Sequence, residues 1–143
     1  MSDELYSDHI LDEVEAPYHR GHAACPTISH QEKIACGDEV HLEIVVDEKR
    51  CIREAWFQAT GCMISLAAAS VLTREIEGKS LDDLRGLQAS QMLDLLKVPL
   101  TMKRQQCGLV AFKVLKAMIY ALDTATRSGT GTAAALGSGG SNP

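Results

Sequence analysis

The chain has 143 residues and a mass of 15.5 kDa, enough for one compact domain with its own core but too little for two domains of ordinary size. Its 19 acidic residues outnumber the 14 basic ones, and the net charge of -5 argues against binding to the phosphate backbone of a nucleic acid. An acidic start and the lack of any long apolar run argue against a signal peptide and a membrane span. We therefore expect a cytoplasmic protein without nucleic-acid or membrane partners.

The first half of the chain predicts one helix followed by strands. Leu5–Val14 places apolar residues at helical spacing, and Pro17 ends this helix. Tyr18–Ala35 shows no sustained period and contains glycine and proline, so we expect a loop with at most one short edge strand. Val40–Val46 and Ile52–Ala59 alternate or run apolar on either side of a polar turn, which predicts an antiparallel hairpin.

The second half predicts helices and then a tail. Cys62–Glu77 is rich in alanine and leucine and has no proline or internal glycine, as is typical of a long helix. A serine-aspartate capping pattern predicts a short helix at Leu81–Leu87, and Ser90 is a candidate cap for another. A final helix is expected at Lys103–Leu122, where apolar residues recur at helical spacing. Residues 123–143 are rich in Gly, Ser, Thr and Ala, which predicts a flexible tail.

The order of these elements predicts an α+β fold. A helix, two or three strands and then several helices fit a small antiparallel three-stranded sheet packed on one face by helices. We place this domain at 1–122 and the tail at 123–143. Neither a Walker-type nor a G-x-G-x-x-G glycine pattern is present, so nothing in the sequence supports nucleotide binding.

The five cysteines are the least ordinary feature of the composition. An odd number in a reducing compartment argues against a disulfide framework and favours metal or thiolate chemistry. Cys36, Cys62 and Cys107 fall where secondary structure is predicted to begin, and a helix start favours thiolate over thiol. Asp38 lies two residues after Cys36, so one loop offers sulfur and oxygen together. Against this, an isolated cysteine is often a small core residue, and no Cys-x-x-Cys pair is present.

Four motifs surround these cysteines. They are Ala35-Cys36-Gly37-Asp38-Glu39-Val40 before an alternating strand, Gly61-Cys62 opening a helix with Ser65, Ala69 and Ser70, the run Gly78-Lys79-Ser80-Leu81-Asp82, and Cys107 near the start of the last helix. In these motifs, from about Leu5 to Leu122, the chain resembles the iron–sulfur cluster assembly scaffold family, the IscU, SufU and NifU N-terminal-like proteins. The resemblance supports the α+β fold expected from the order of elements.

The resemblance implies an exposed site in which Cys36, Cys62, Cys107 and Asp38 hold zinc in a resting form or assemble a transient [2Fe–2S] cluster. Three thiolates and one oxygen bind less tightly than four thiolates, which suits a protein that must release its cluster. We hypothesise that Asp38 is the ligand that makes the cluster labile. Cys107, near a predicted helix start and beside Lys103, is our candidate for the first persulfide acceptor.

The resemblance also implies a function and partners. The protein would receive sulfur from a cysteine desulfurase and iron from an iron donor, and pass the cluster to apo iron–sulfur acceptor proteins. It would act as a carrier, a monomer or weak dimer, and not as an enzyme. The alternative is a zinc-dependent, SufU-like sulfur acceptor, a sulfurtransferase that serves the desulfurase. A purely structural zinc is less favoured, because a domain of this size should fold without metal.

The sequence departs from the IscU branch in two places. Gln106 stands where that branch has a histidine before its third cysteine. Leu100-Thr101-Met102-Lys103-Arg104 replaces the chaperone motif Leu-Pro-Pro-Val-Lys, so docking of the dedicated Hsp70-type chaperone is doubtful. The missing histidine favours the SufU-like alternative, whereas the segment between the second and third motif cysteines is too short for the SufU insertion.

Two cysteines and several histidines lie outside the site pattern. Cys51 is interpreted as a small half-buried strand residue. Cys25 shares its loop with His22 and His30 and is a candidate transient ligand or sulfur carrier in place of the missing histidine. The other three histidines are expected to face solvent: His9, His19 and His41.

Overall fold

A computed structural model of the protein describes residues 8–35, 37–97 and 99–128. Within them, three strands form one antiparallel sheet, with β2 in the centre. The strands are β1 (Ile28–Lys33), β2 (Glu39–Val46) and β3 (Ile52–Thr60). The predicted hairpin is confirmed as β2 and β3, and β1 is the short edge strand expected in the first loop.

Five helices complete the described part of the chain. They are α1 (Asp8–Glu15), α2 (Met63–Ile76), α3 (Leu81–Arg85), α4 (Ala89–Leu95) and α5 (Met102–Ser128). The first residues of the predicted N-terminal helix, 5–7, lie outside the described range. Among the described residues, no helix combines the length and the apolar character that a membrane crossing requires.

Local caps fix where the short helices begin. The backbone N–H of Asp83 donates to Ser80 Oγ at 3.0 Å, as the capping pattern predicts for α3. Helix α4 begins two residues earlier than a Ser90 cap would allow, because Gln88 is the cap and its N–H donates to the Gln91 side chain at 2.8 Å. The prediction of Ser90 as a cap was therefore wrong, although the helix itself is present.

The helices pack on one face of the sheet, which confirms the predicted fold class. Val40, Leu42 and Ile44 of β2 are fully buried on this face and join one core with α2 and α5. Three consecutive alanines in α2, 67–69, are also fully buried. Small side chains let α2 lie close to both the sheet and α5. This packing brings the start of α2 and the first turns of α5 to the same end of the sheet.

The last helix continues beyond Leu122, where we expected the tail to begin. Asp123 accepts hydrogen bonds from Arg50 at 2.7 Å and from Arg85 at 2.8 Å, which ties the helix to the β2–β3 turn and to α3. These ion pairs explain why the helix extends to Ser128 through a stretch of tail-like composition. The rest of the predicted tail, 129–143, lies outside the described residues.

Candidate metal centre

The packing brings together three of the four residues predicted to form a metal site. Asp38 directly precedes β2, Cys62 directly precedes α2, and Cys107 lies in the second turn of α5. One ligand atom from each residue lies within 4.8 Å of the others. Cys36 lies outside the described residues, so its place in this ligand set stays a prediction.

Gly61 determines how the end of β3 approaches Asp38. Its backbone has a φ of +128°, a conformation that side-chain-bearing residues rarely adopt. A Cβ atom added there would lie 2.3 Å from Asp38 Oδ1 and 2.9 Å from Asp38 Cα. The chain therefore passes so close to Asp38 that only glycine fits before Cys62. Sequence reasoning noted Gly61 only as part of a motif and did not foresee this contact.

Asp38 is held by the first turn of α2. The Ser65 hydroxyl donates to Asp38 Oδ2 at 2.6 Å, and the backbone N–H of Cys62 lies 3.3 Å from Oδ1. The side chain of Cys62 does not cap its own helix. The carboxylate thus serves as the N-terminal cap of α2 from a different element, where the helix dipole favours a negative charge.

These contacts keep Asp38 ionised although it is only 6% exposed. Burial alone would raise the pKa of its carboxyl group, but hydrogen bonds, chiefly from Ser65, outweigh burial and hold the pKa below its usual value. Ser65 also lies 3.2 Å from the carbonyl oxygen of Cys107 and 3.8 Å from Cys62 Sγ. It is therefore the side chain that links all three site residues, a role that the sequence analysis missed.

The thiol of Cys107 differs from our expectation of a reactive thiolate. Burial, followed by the neighbouring Asp38 carboxylate and the Cys62 sulfur, raises its pKa to about 12. Cys107 lies in the second turn of its helix and faces these two groups, so the helix start and Lys103 do not dominate its surroundings. The expected lowering of the pKa was wrong for the metal-free protein.

A bound metal ion would favour the deprotonated form of Cys107, and the side chains at the site are suitable ligands for such an ion. Two sulfurs and a carboxylate oxygen are ligands that zinc accepts, and thiolates are also the usual ligands of iron–sulfur clusters. A thiol that coordinates a metal is deprotonated regardless of its value in the free protein. The cluster of buried Asp38 and Cys107 with partly exposed Cys62 therefore fits a thiophilic metal, with at least one coordination position left for another ligand.

The remaining residues singled out from the sequence lie apart from this cluster. Cys25 is exposed, and Cys51 is half-buried and forms an isolated backbone bridge with Ser80. Neither joins a metal-ligand grouping among the described residues. Gln106 is exposed, next to Cys107 on α5.

Two histidines expected to face solvent are partly buried. His19 stacks on the ring of Trp56 at a centroid distance of 4.3 Å, and its Nδ1 lies 2.8 Å from Glu77 Oε2. The chain bends back over β3 at this point, which no local pattern indicates. His41 does lie on the face that strand alternation predicts, but its side chain is only 25% exposed.

Comparison with known proteins supports the resemblance seen in the sequence. Residues 5–128 match the family described as NifU-like N terminal domain. The chain is 34% identical over 85 residues to the iron–sulfur cluster assembly scaffold protein IscU of Haemophilus influenzae, which covers 59% of this chain and 66% of that protein. It is 28% identical over 122 residues to IscU of Escherichia coli K12, covering 80% of this chain and 91% of that protein.

Solved structures share the fold. The SUF-system protein FiSufU of Fervidobacterium islandicum superposes with a TM-score of 0.66 at 22% identity and covers 82% of this chain and 98% of that one. The N-terminal NifU-like protein of Brucella abortus gives a TM-score of 0.68 at 21% identity and covers 83% and 94%. With the family match over most of its length, the chain belongs to the NifU-like N-terminal domain family.

Proposed function

We propose that this protein is a scaffold on which a [2Fe–2S] cluster is built from iron and desulfurase-derived sulfur and then passed to acceptor proteins. The observation that carries the proposal is the cluster of Asp38, Cys62 and Cys107 at one end of the sheet. Relatives over most of the chain are named as IscU scaffold proteins, which supports the same assignment. Cys36 is the proposed fourth ligand. The iron–sulfur cluster is cargo here, and zinc occupies the site in a resting form.

Sulfur enters by transfer between thiols. The Cys107 thiolate attacks the terminal sulfur of a persulfide on the cysteine desulfurase. A new S–S bond forms at Cys107, the S–S bond on the desulfurase breaks, and the desulfurase cysteine leaves as a thiolate. Ferrous iron and an external reductant supply the electrons that convert this sulfur to sulfide. Because the pKa of Cys107 is raised to about 12 without metal, we expect the attack to require a bound metal ion.

Release depends on Asp38. A hard oxygen ligand among soft sulfurs binds iron less tightly than a fourth thiolate would. Asp38→Ala should therefore retain its cluster and slow transfer to an apo-ferredoxin on the order of tenfold, the scale of ligand-sphere changes at metal sites. Asp47→Ala, which removes a carboxylate just beyond the opposite end of β2, is the matched control. An unchanged transfer rate for Asp38→Ala would remove the assigned role of Asp38.

Anaerobic reconstitution tests the proposed function directly. The protein is mixed with Fe²⁺, cysteine and a desulfurase, visible absorption reports cluster formation, and apo-ferredoxin accepts the product. Cys62→Ser should abolish the cluster absorption, whereas Cys51→Ser, at a half-buried cysteine outside the site, should form it normally. Absence of a cluster in the unaltered protein would overturn the proposal.

Transfer of labelled sulfur from the desulfurase tests whether Cys107 is the first persulfide acceptor. Cys107→Ser should lose the label and the unaltered protein should accept it only with metal present. Cys25→Ser tests the exposed cysteine that the sequence offered as a second sulfur carrier, and we expect it to accept label normally. A normal rate of labelling in Cys107→Ser would exclude Cys107 as first acceptor.

A second candidate function is that of a zinc-dependent sulfur acceptor for the desulfurase. The exposed Gln106 favours it, since this residue replaces a histidine next to the third cysteine. Zinc retained during reconstitution, faster desulfurase turnover and no cluster absorption would select this function. Zinc removal should leave the fold intact in either case, because the core does not depend on the metal. Global unfolding on zinc removal would instead indicate a structural zinc.

The proposed setting follows from the site. Free thiols at the metal centre need a reducing compartment, so we place the protein in the cytoplasm. Its proposed partners are the desulfurase, an iron donor and apo acceptors, and we propose a monomer or weak dimer. The chaperone motif is absent from 100–104, so we do not expect docking of a dedicated Hsp70-type chaperone.

A further inference from the structure

The sheet has a second polar cluster on the face opposite the helices. Along β2, Val40, Leu42 and Ile44 point to the core, so His41 and Glu43 lie on the outer face. Glu43 belongs to the central strand and is only 8% exposed. A carboxylate buried at such a position is costly unless it has strong partners.

The loop between α1 and β1 supplies those partners by crossing the outer face. Gly21 lies against the ring of Trp56, where an added Cβ would be 3.4 Å from the indole. The next residues then reach β2, and the backbone N–H of Ala23 donates to Glu43 Oε1 at 2.7 Å. His22, between them, is thereby carried over the sheet to Glu43.

Two imidazoles converge on the other oxygen of the same carboxylate. Nδ1 of His22 lies 2.9 Å and Nε2 of His41 lies 3.1 Å from Glu43 Oε2. The Nδ1 atom of His41 is buried and has no hydrogen-bond partner among the described residues. The imidazole proton of metal-free His41 therefore belongs on Nε2, where the carboxylate accepts it.

These spacings match the edges of a metal coordination sphere. Ligand bonds of about 2.0–2.1 Å put neighbouring ligand atoms about 2.8–3.0 Å apart at octahedral angles and about 3.3–3.4 Å apart at tetrahedral angles. The two nitrogen-to-oxygen distances at Glu43 are 2.9 and 3.1 Å, and all three ligand atoms lie within 4.8 Å of one another. A metal ion can replace the two protons that now join the imidazoles to the carboxylate, with small adjustments of His22.

We propose that His22, His41 and Glu43 bind a first-row divalent transition-metal ion, Zn²⁺ or Fe²⁺, independently of the proposed cluster site. Two imidazoles and one carboxylate are a donor set that both ions accept, with positions left open for water or another ligand. Metal binding at Nε2 moves the single ring proton of His41 from Nε2 to Nδ1. Because that atom has no hydrogen-bond acceptor, the ion binds less tightly than in a site with complete outer contacts.

The new site is chemically and spatially separate from the thiol site. Asp38 contacts α2 on the helical face of the sheet, whereas Glu43 faces the loop on the outer face. Four residues lie between them, and the five steps from Asp38 to Glu43 span roughly 16 Å at about 3.3 Å per residue. The outer site has no sulfur ligand among the described residues, so the two sites give different spectra with the same ion.

The test uses the full metal-free chain without an affinity tag, titrated anaerobically with Zn²⁺ and in parallel with Co²⁺. We expect two bound equivalents, of which only one gives the intense sulfur-to-cobalt absorption. His22→Ala, at a side chain that is 62% exposed, should keep that absorption and weaken the second equivalent by about 100-fold or more, the upper end of ligand-sphere effects. His30→Ala removes an imidazole that lies 2.7 Å from Glu32, and should bind both equivalents normally.

A second measurement reads the ligands directly. In long-range proton–nitrogen spectra, Zn²⁺ should shift the imidazole signals of His22 and His41 and move the His41 proton from Nε2 to Nδ1. Cys62→Ser should leave this change intact while it removes the sulfur-to-cobalt absorption, which separates failure of this site from failure of the proposed function. Equal binding in His22→Ala and the unaltered protein, or imidazole signals that Zn²⁺ does not move, would overturn the proposal.

Discussion

Asp38 and Glu43 are two buried carboxylates on one stretch of chain that differ in what surrounds them. Both have a lowered pKa, and both are held by N–H or O–H donors brought from elsewhere in the chain. Asp38 accepts from the start of α2 and faces two thiols, whereas Glu43 accepts from two imidazoles and a loop. Each carboxylate is held in place before any metal binds. Asp38 lies among sulfur atoms on one face of the sheet, and Glu43 lies among nitrogen atoms on the other.

The comparison teaches that neighbours, more than the carboxylate itself, decide which metal chemistry a site suits. Sulfur ligands favour clusters and zinc, and imidazole with carboxylate favours zinc and ferrous iron. The two sites also differ in rigidity. Asp38 is fixed by a long helix and by Gly61, whereas Glu43 depends on the exposed His22 of a loop.

The largest effect is expected from Gly61→Ala, which would disrupt the site around Asp38 and leave the site around Glu43 unchanged. Both the positive φ and the collision with Asp38 oppose a side chain, so the free energy of unfolding should fall by about 3 kcal/mol and cluster formation should be lost. Gly78→Ala is the matched control, with a φ of +87° and no atom within 4 Å of the added Cβ. It should lose only about 1–2 kcal/mol. Urea denaturation measures the free energy of unfolding of both variants, and reconstitution measures cluster formation. Equal losses of stability in the two variants would show that the contact with Asp38 adds nothing to the cost of the positive φ.

A smaller effect is expected from Ser65→Ala. The change leaves Asp38 Oδ2 without its hydroxyl donor, which should lower the free energy of unfolding by about 1–3 kcal/mol and alter cluster release. Ser70→Ala is a matched control on the same helix, because Ser70 donates at 2.6 Å to the buried Glu13, away from the thiols. It should lower stability without changing cluster release. A change of release in both variants would assign the effect to α2 as a whole.

The smallest expected effect is on pH dependence. The pKa values of Asp38 and Glu43 lie below their ordinary values of 3.8 and 4.5, so both stabilise the fold above those values and lose this contribution as pH falls further. Asp38→Asn and Glu43→Gln should each flatten the loss of stability on acidification below about pH 4.5. Urea denaturation of the metal-free protein between pH 3 and 6 measures this. A steeper acid loss in either variant would contradict the assigned direction.

Much of the fold followed from the sequence because its signals are local. The β2–β3 hairpin and helix α2 are strongly patterned, and the structure contains both. The extension of α5 past Leu122 was not predictable, because it depends on Arg50 and Arg85 meeting Asp123 from distant parts of the chain. The composition of a segment indicates its conformation in isolation but does not indicate the ion pairs that attach it to the rest of the fold.

The candidate site was predictable in its chemistry and not in its electrostatics. Motifs identified Asp38, Cys62 and Cys107 as one group, and the structure brings them together. The raised pKa of Cys107 depends on burial and on its neighbours Asp38 and Cys62, which helix position alone does not indicate. The link through Ser65 and the convergence on Glu43 likewise need the third dimension, since their partners come from other elements.

Because Asp38 is also the cap of α2, loading the site is an exchange of partners and not a simple addition. Both of its oxygens already accept hydrogen bonds, from the Cys62 amide and the Ser65 hydroxyl. A metal that takes one oxygen competes with the first turn of a 14-residue helix for it. The amide of Cys62 is thus a natural reporter: its hydrogen exchange should be slow when the site is empty and faster when Asp38 has turned to the metal.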